Sequence, residues 1–358
     1  MDKPALPDDR QVQFVGEGAA NVVFNVEVHP GKPAYPGTYR TITHFISTTG
    51  TALTEVGYLL RVPKAGTSAF SYQDLQEYWE TTVAPLFRPG LLVGQSLVSL
   101  EGEGIVSKLN AVLEENEHAR RKDFRGSRVA NANHGMLVED MRRRDASDWA
   151  IEFKPKWLSQ SSAAPPDATR CRNCAREAYR ASKDGKVLGS QGHLRPLCPL
   201  ALVYGRDLPC KDEGCRTGES GCEDPDCEVG AMASALLSGV DDTLDEDVRG
   251  NYRGQLSRWI RLNELLPLLQ SLQIACDTGL QSDQELNMTL RDCACFVRLS
   301  LSGRPVEARL GDLDRKNGAA KRQYWEDTER KLVDGGYYEG KEVPRQSTAC
   351  WLERTIQR

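Results

Sequence analysis

The stretch FVGEGAANVVFNV, residues 14–26, narrows the possible folds more than any other. After its glycine pair the side chains alternate, with Val22, Phe24, Val26 and Val28 pointing one way and Val23, Asn25 and Glu27 the other. A period of two predicts a strand. A Walker loop or a dinucleotide fingerprint needs a helix after its glycines, and the former also needs a Lys-Ser/Thr pair. Both are excluded. What remains is strand, glycine turn, strand. Such a hairpin covers nucleotide phosphates in kinases of the protein-kinase type. Gly-x-Gly in a hairpin also serves simply to supply positive φ, and the stretch alone leaves both readings open.

A chain of 358 residues can bury a full core, in one large domain or two lobes. The opening MDKPALPDDR has no apolar core, so no secretory signal is expected. The longest apolar run, LNELLPLLQSL, is broken by Glu264, Pro267 and Gln270 and is far short of a membrane span. An intracellular protein without a membrane partner is expected. Net charge is −5, and residues 210–228 alone, CKDEGCRTGESGCEDPDCE, hold seven acids and two bases. The rest of the chain balances its charges, which argues against a nucleic-acid partner but leaves room for a local basic pocket. Eleven cysteines without a signal peptide are expected to be reduced thiols or metal ligands.

Along the chain, QVQFVG, NVVFNVEV, TYRTITHF and VGYLLRVPK read as strands, and FSYQDLQEYWETTVAPLF as a helix. LVSLEGEGIVSKLNAVLEEN reads as strand and helix, and HGMLVEDM as a short strand. Residues 1–145 are therefore expected to form a β-rich lobe, and residues 146–358 a larger mixed lobe. In the second, DWAIEFKPK is a predicted strand, Ser159 to Thr169 an exposed loop, and TRCRNCAREAYRASK a helix. The acidic cysteine stretch and SGVDDTLDED read as surface insertions. NYRGQLSRWIRLNELLPLLQSLQIACD reads as helix broken at Pro267. MTLRDCACFVRLS and VEARLGDLD are predicted strands, followed by the helix AAKRQYWEDTERKLVDGG. The fold class is α+β.

Four constellations carry chemistry. In IEFKPK, a strand would place Glu152, Lys154 and Lys156 on one face, between Trp149, Ile151 and Trp157, whose burial would oblige the lysines to find anionic partners. In RCRNCAREAYR, a helix lines up Arg172, Arg176 and Arg180, and sets Cys171 and Cys174 on a small apolar face as core packing. Arginines with no matching acid but Glu177 favour a polyanion. Asp292 sits mid-strand in MTLRDCACFVRLS, with Leu290, Ala294 and Phe296 on its face. In GDLDRKNGAAKRQYW a strand ends at Asp312 and then offers Asp314, Arg315, Lys316, Lys321, Arg322 and Tyr324. Acids at a strand end beside bases suit magnesium with substrate phosphates. Together these are the parts of a phosphotransferase acting on an anionic acceptor.

GEGAAN, LLRVPK, IEFKPK, CRNCAREAYR, LCPL, MTLRDC and DLDRK occur in the order found in inositol-pentakisphosphate 2-kinases, and the chain resembles a fungal member of that family. EFKPK is the most specific of these motifs. The resemblance implies a two-lobed, distantly protein-kinase-like fold and transfer of the ATP γ-phosphate to the 2-hydroxyl of inositol 1,3,4,5,6-pentakisphosphate, giving the hexakisphosphate. It implies that Gly16, Glu17, Gly18, Ala19, Ala20 and Asn21 cover the nucleotide phosphates and that Arg61 contacts them. Glu139, Asp140 and Met141 would receive the adenine, with Glu152 nearby. Lys154 would face the transferred group, and Asp292 would orient or deprotonate the hydroxyl. Asp312 would hold Mg²⁺, with Asp292 a further ligand. Arg128, Lys156, Arg172, Arg176, Arg180, Lys316, Lys321 and Tyr324 would grip the inositol phosphates. Plant and animal relatives show histidine and lysine where this chain has Arg176 and Arg180, a change that keeps or adds positive charge.

Cys210, Cys215, Cys222 and Cys227 are spaced C-x4-C-x6-C-x4-C. Four thiolates could bind zinc tetrahedrally, or the loop could carry free thiols. Plant relatives have a structural Cys/His zinc site whose ligands do not map onto these residues, and His193 and Cys198 read as structural. Protein-kinase motifs (H-R-D, D-F-G, A-P-E) and the P-x-x-x-D-x-K-x-G of multikinases do not occur. A non-catalytic inositol-phosphate sensor, or a zinc-loop interaction protein, is the alternative. A monomer is expected, in the nucleus, the cytoplasm or both.

Overall fold

The alternation after the glycine pair becomes the second strand of an antiparallel hairpin. The computed structural model describes residues 12–26, 57–67, 69–101, 104–189, 196–210, 213–217, 222, 227–238, 245–278 and 284–356. The expected strand TYRTITHF and His193 lie outside them. The chain divides into two units, Met1–Met141 and Arg142–Arg358.

In the first unit, β1 (Gln13–Glu17), β2 (Asn21–Asn25), β3 (Tyr58–Pro63), β4 (Gln95–Ser99) and β5 (His134–Glu139) form an antiparallel sheet in the order β1-β2-β3-β5-β4. Two helices pack on it, α1 (Tyr72–Tyr78) and α2 (Ile105–Glu115). Val22, Phe24 and Val26 are buried, as the alternation predicts, and join Leu60, Val62 and Leu137 against Ile105, Leu109 and Leu113 of α2. Each such side chain contributes roughly 1.5–3 kcal/mol on leaving water. Met136, pointing to the other face, packs with Tyr72 and Leu75 of α1. A capping box starts α1: Ser71 Oγ accepts from the Asp74 N–H, and the Asp74 carboxylate accepts from the Ser71 N–H. The expected long helix here is α-helical only to Tyr78. It widens into a π turn over Trp79–Val83 and tightens into a 3-10 turn over Ala84–Leu86, where Pro85 has no N–H to donate.

The second unit is built on a three-stranded antiparallel sheet, β6 (Asp148–Phe153), β7 (Ala294–Ser300) and β8 (Glu307–Gly311), in that order. Around it lie α3 (Arg172–Lys183), α4 (Glu228–Leu236), α5 (Glu246–Leu262), α6 (Leu265–Thr278), α7 (Gln284–Asp292), α8 (Gly318–Asp334) and α9 (Trp351–Ile356). The whole is α+β. Among the described residues no helix is long and apolar enough to cross a membrane.

Three sequence expectations are corrected here. The helix break falls at Asn263, whose Oδ1 accepts from the Leu266 N–H, and not at Pro267. Pro267 lies in the first turn of α6, where a missing N–H leaves no bond unmade. Asp292 is not mid-strand: it ends α7, and β7 starts at Ala294. Its neighbour Arg291 pairs with Asp277 of α6 and lies 3.6 Å over the Trp157 ring, contacts that hold the segment helical. Finally, β6 stops at Phe153, so Lys154 and Lys156 follow the strand and do not belong to its face.

Candidate active site

The three strands of the second unit bring their chemistry to one end of the sheet. Phe153 pairs with Cys295 and Ala294 with Gly311, so the exits of β6 and β8 flank the entry to β7. Lys154 and Lys156 leave from the first, Asp312 from the second, and Asp292 precedes the third.

The Lys154 ammonium donates to the Asp292 carbonyl at 2.8 Å, to Asp312 Oδ2 at 2.9 Å and to Asp292 Oδ1 at 3.4 Å. Lys156 reaches Asp292 Oδ1 at 3.1 Å and Lys316 reaches Oδ2 at 3.1 Å. Asp292 thus meets three ammonium groups while its side chain stays 43% exposed. An acid at a helix C-terminus sits at the negative end of the dipole, so α7 alone would disfavour it. Burial pushes its carboxyl up, but Lys316, Lys154 and Lys156 outweigh that and hold it well below the usual carboxylate range. Burial likewise pushes the Lys154 ammonium down, and Asp312 and Asp292 more than reverse it. Glu152, an exposed residue of β6, has its carboxyl pushed up first by partial loss of solvation and then by the Asp312 charge.

Lys156 and Asp312 are the two non-glycine residues with positive φ among the described residues, at 57° and 55°. Left-handed backbone at non-glycine residues is uncommon and tends to be held at functional sites. Both lie in this cluster.

Beside it opens a cavity of about 260 Å³ whose lining includes six bases, Lys156, Arg172, Arg176, Arg291, Lys316 and Lys321, and one acid, Asp292. Tyr324, Trp325, Trp157 and Thr328 complete much of the wall. Two arginines of α3, Arg172 and Arg176, find partners that the sequence spacing did not reveal, because they come from α8. Arg172 pairs with Glu329 at 2.7 Å and lies 4.1 Å over the Trp157 ring, which Arg291 also meets at 3.6 Å. Arg176 stands 3.5 Å from the Tyr324 hydroxyl. Burial pushes that phenol up, and Arg176 pulls it below its ordinary value. Arg180 pairs with Glu177 and is outside the cavity lining. Arg291 was missed in the sequence, since its acid partner sits on another helix. A larger hollow of about 550 Å³ along α8 is lined by Asp327, Asp334, Arg330 and Lys331 with Tyr179 and Gly335, so its charges balance.

Apart from the cysteines, the remaining expected residues belong to the first unit. Gly18 N–H donates to the Asn21 carbonyl to close the hairpin, and the Lys64 N–H holds the Ala20 carbonyl at 2.8 Å. Asn21 Oδ1 accepts from the Tyr72 hydroxyl. Neither Gly16 nor Gly18 has positive φ, and a Cβ on either would meet nothing within 4 Å. The fold itself therefore does not require these glycines, and the open space above them suits close approach of a ligand to the backbone. Ala19 lies at the tip of the turn. The Glu17 side chain points inward, accepting from Nε and one terminal nitrogen of Arg120 at 2.8 Å each and pairing with the Lys64 ammonium at 2.7 Å. Arg61, opposite Met136 in register, lies 5.4 Å over the Tyr72 ring. Arg128 pairs with Glu114. Glu139 and Asp140 end β5 with backbone bonds to Gly94 and Gly57, and buried Met141 closes the unit.

Among the described residues two groups of four thiols could hold a metal ion, each with its ligand atoms within 4.8 Å of one another. One is Cys210, Cys215, Cys222 and Cys227. The other joins Cys171 and Cys174, buried as expected, with Cys198 and Cys350. The Cys171 and Cys198 sulfurs are 3.7 Å apart, and the Cys171 and Trp351 N–H groups donate to the Cys350 and Cys198 sulfurs.

A family pattern described as inositol-pentakisphosphate 2-kinase matches residues 14–213 and 255–331, well over half of the chain. An inositol-pentakisphosphate 2-kinase of Yarrowia lipolytica is 26% identical over 216 residues, covering 57% of this chain and 57% of the relative. One of Kluyveromyces lactis is 27% identical over 189 residues, covering 53% and 50%. The chain thus aligns with half, or a little more, of the length of these curated relatives. With the motifs in order and the pattern spanning both units, the chain belongs to the inositol-pentakisphosphate 2-kinase family.

Proposed function

We propose that this protein transfers the γ-phosphoryl group of ATP to the 2-hydroxyl of inositol 1,3,4,5,6-pentakisphosphate, giving the hexakisphosphate. The observation that carries the reading is the cavity with six bases and a single acid at its edge. Five phosphate groups bear roughly eight to ten negative charges at neutral pH, and a pocket this cationic has few other uses. Lys156, Arg176, Lys316, Lys321 and Tyr324 contact those phosphates. Arg172 and Arg291 add positive potential while remaining committed to Glu329, Asp277 and Trp157.

Asp292, ionised across the physiological range, accepts a hydrogen bond from the attacking hydroxyl and aligns it. Lys154, already between the two carboxylates, meets charge developing on the transferred group. Two half-exposed carboxylates bridged by one ammonium fit Mg²⁺, which takes one or two carboxylates plus substrate phosphates. Asp312 and Asp292 would hold the ion, which when bound neutralises phosphate charge. The open backbone of Gly16 to Asn21 faces the nucleotide phosphates with Arg61. Residues Glu139 to Met141 meet the adenine, and Glu152 lies near the nucleotide. The two units are read as the lobes of a distantly protein-kinase-like fold. Cys171, Cys174, Cys198 and Cys350 are read as a structural zinc site, since four buried sulfurs with N–H donors suit a tetrahedral thiolate centre. The protein is read as an intracellular monomer of nucleus or cytoplasm, binding neither nucleic acid nor membrane.

Phosphorus NMR of the protein with Mg-ATP and the pentakisphosphate tests the reading. Stoichiometric hexakisphosphate from wild type, with almost none from Asp292→Asn, supports it. Tight binding of the pentakisphosphate with no new phosphate resonance would overturn it in favour of a sensor.

A further inference from the structure

We infer that Cys210, Cys215, Cys222 and Cys227 form a zinc site that staples an acidic insertion of this chain. The family pattern skips residues 214–254, which carry three of the four thiols, so neither the family match nor the kinase reading supplies this site.

The geometry comes first. The four ligand atoms lie within 4.8 Å of one another, and the Cys210 and Cys222 sulfurs are 3.6 Å apart. Zinc with four sulfurs at about 2.3 Å in a tetrahedron sets neighbouring sulfurs about 3.8 Å apart. A disulfide would need about 2.05 Å. The separation therefore suits ligands around one ion better than a bond.

Packing does not explain the convergence. Cys210, Cys215 and Cys222 are buried, with Cys227 against them, and among the described residues their cluster contains no other apolar side chain. The surrounding sequence, with seven acids to two bases, carries charges that repel one another. Four sulfurs brought together without hydrophobic company need another source of cohesion.

The elements around the sulfurs are arranged as supports for ligands. Cys215 lies on the short helix Glu213–Thr217, and Cys227 is the N-cap of α4, where N–H groups and the helix dipole favour a thiolate. The Cys222 N–H donates to Ser257 Oγ of α5 at 2.7 Å. Arg261, one turn further on, donates from Nε to Cys215 Sγ at 3.4 Å. Its other nitrogens hold the Arg206 and Leu208 carbonyls at 2.6 and 3.1 Å, just before Cys210. Four thiolates around one Zn²⁺ leave a net charge of about −2, and a buried guanidinium at this position offsets part of it.

The test uses the full-length protein, loaded with zinc, and a small alkylating reagent under native conditions. Peptide mass mapping reads each cysteine separately, which distinguishes this group from the Cys171 group. The expected result is that all four thiols are protected and become reactive together after a strong chelator, with release of zinc. The Cys210→Ser/Cys222→Ser variant should carry one zinc per chain fewer than wild type. Alkylation of the four at the same rate with and without chelator, or their recovery as disulfides, overturns the site. So does an unchanged zinc content in a folded double variant. Should that variant misfold, the wild-type alkylation pattern decides alone.

Discussion

Glu17 and Asp292 are both carboxylates gripped by more than one cation, yet they are opposite in kind. Glu17 is 3% exposed, and its partners Lys64 and Arg120 are 2% and 0% exposed. Arg120 is further held by Glu117, the Phe124 carbonyl and Ser127, so every partner is committed. Asp292 is 43% exposed, and its lysines Lys154 and Lys156 are 33% and 31% exposed, on backbone that turns left-handed at Lys156. The first cluster is closed and ties the hairpin to the end of α2. The second is open, with three lysines around two aspartates, as the proposed phosphate site requires. Composition does not separate the two. Exposure and charge balance do. In the proposed nucleotide site, a Glu17 side chain so enclosed would leave only the backbone of that residue to face the phosphates.

The sharpest way to break this comparison is to neutralise each acid. Asp292→Asn should lower kcat by roughly 10²–10⁴, read as hexakisphosphate formed per unit time. Its stability should change by less than about 1 kcal/mol, since half-exposed ion pairs are screened by water. If Asp292→Asn unfolded the protein, the cluster would be structural after all. Glu17→Gln should do the reverse, leaving Lys64 and Arg120 buried without a counter-charge and lowering stability by about 3–5 kcal/mol in urea unfolding. A loss below about 1 kcal/mol would show that water reaches the cluster.

The pH dependence of stability sharpens the same contrast. Burial pushes the Glu17 carboxyl up, but Arg120 and Lys64 outweigh it and hold the group below its ordinary value. The stabilisation this provides is complete above the unfolded carboxyl pKa, about 4.3. It is lost as pH falls through the depressed folded value. The urea midpoint of wild type should therefore drop below about pH 4, and less steeply in Glu17→Gln. Parallel curves for the two would mean that other carboxylates govern acid unfolding.

How much of this was legible in the sequence differs by region. The hairpin was readable because one residue in two faces the core, and the burial of Val22, Phe24 and Val26 follows that pattern. The chemistry of Lys154, Lys156, Asp292 and Asp312 was readable as residue types near predicted strand ends. Their meeting was not, because Lys156 and Asp312 need left-handed backbone that no local pattern announces. The helix at Asp292 was hidden by apparent alternation in MTLRDCAC, and tertiary contacts of Arg291 with Trp157 and Asp277 decided it. Cys350 joins Cys171 from far along the chain, beyond the reach of any spacing rule. Burial of single elements is local information, while sites are assembled from several.

The smallest expected effect separates two arginines on one helix. Arg176 and Arg180 fall on the same stripe of α3, and the sequence treats them alike. In the structure Arg176 lines the cationic cavity beside Tyr324, whereas Arg180 turns to Glu177 and is 52% exposed. A hydrogen bond to a charged partner contributes about 1.5–3 kcal/mol, and about 1.4 kcal/mol is a factor of ten. Arg176→Ala should raise the KM for the pentakisphosphate about tenfold or somewhat more, with the KM for ATP unchanged. Arg180→Ala should alter either constant less than about twofold, because its charge is screened by water and shared with Glu177. Equal effects of the two substitutions would mean that the polyanion reaches past the cavity along the whole stripe, and that exposure on α3 does not mark the limit of the site.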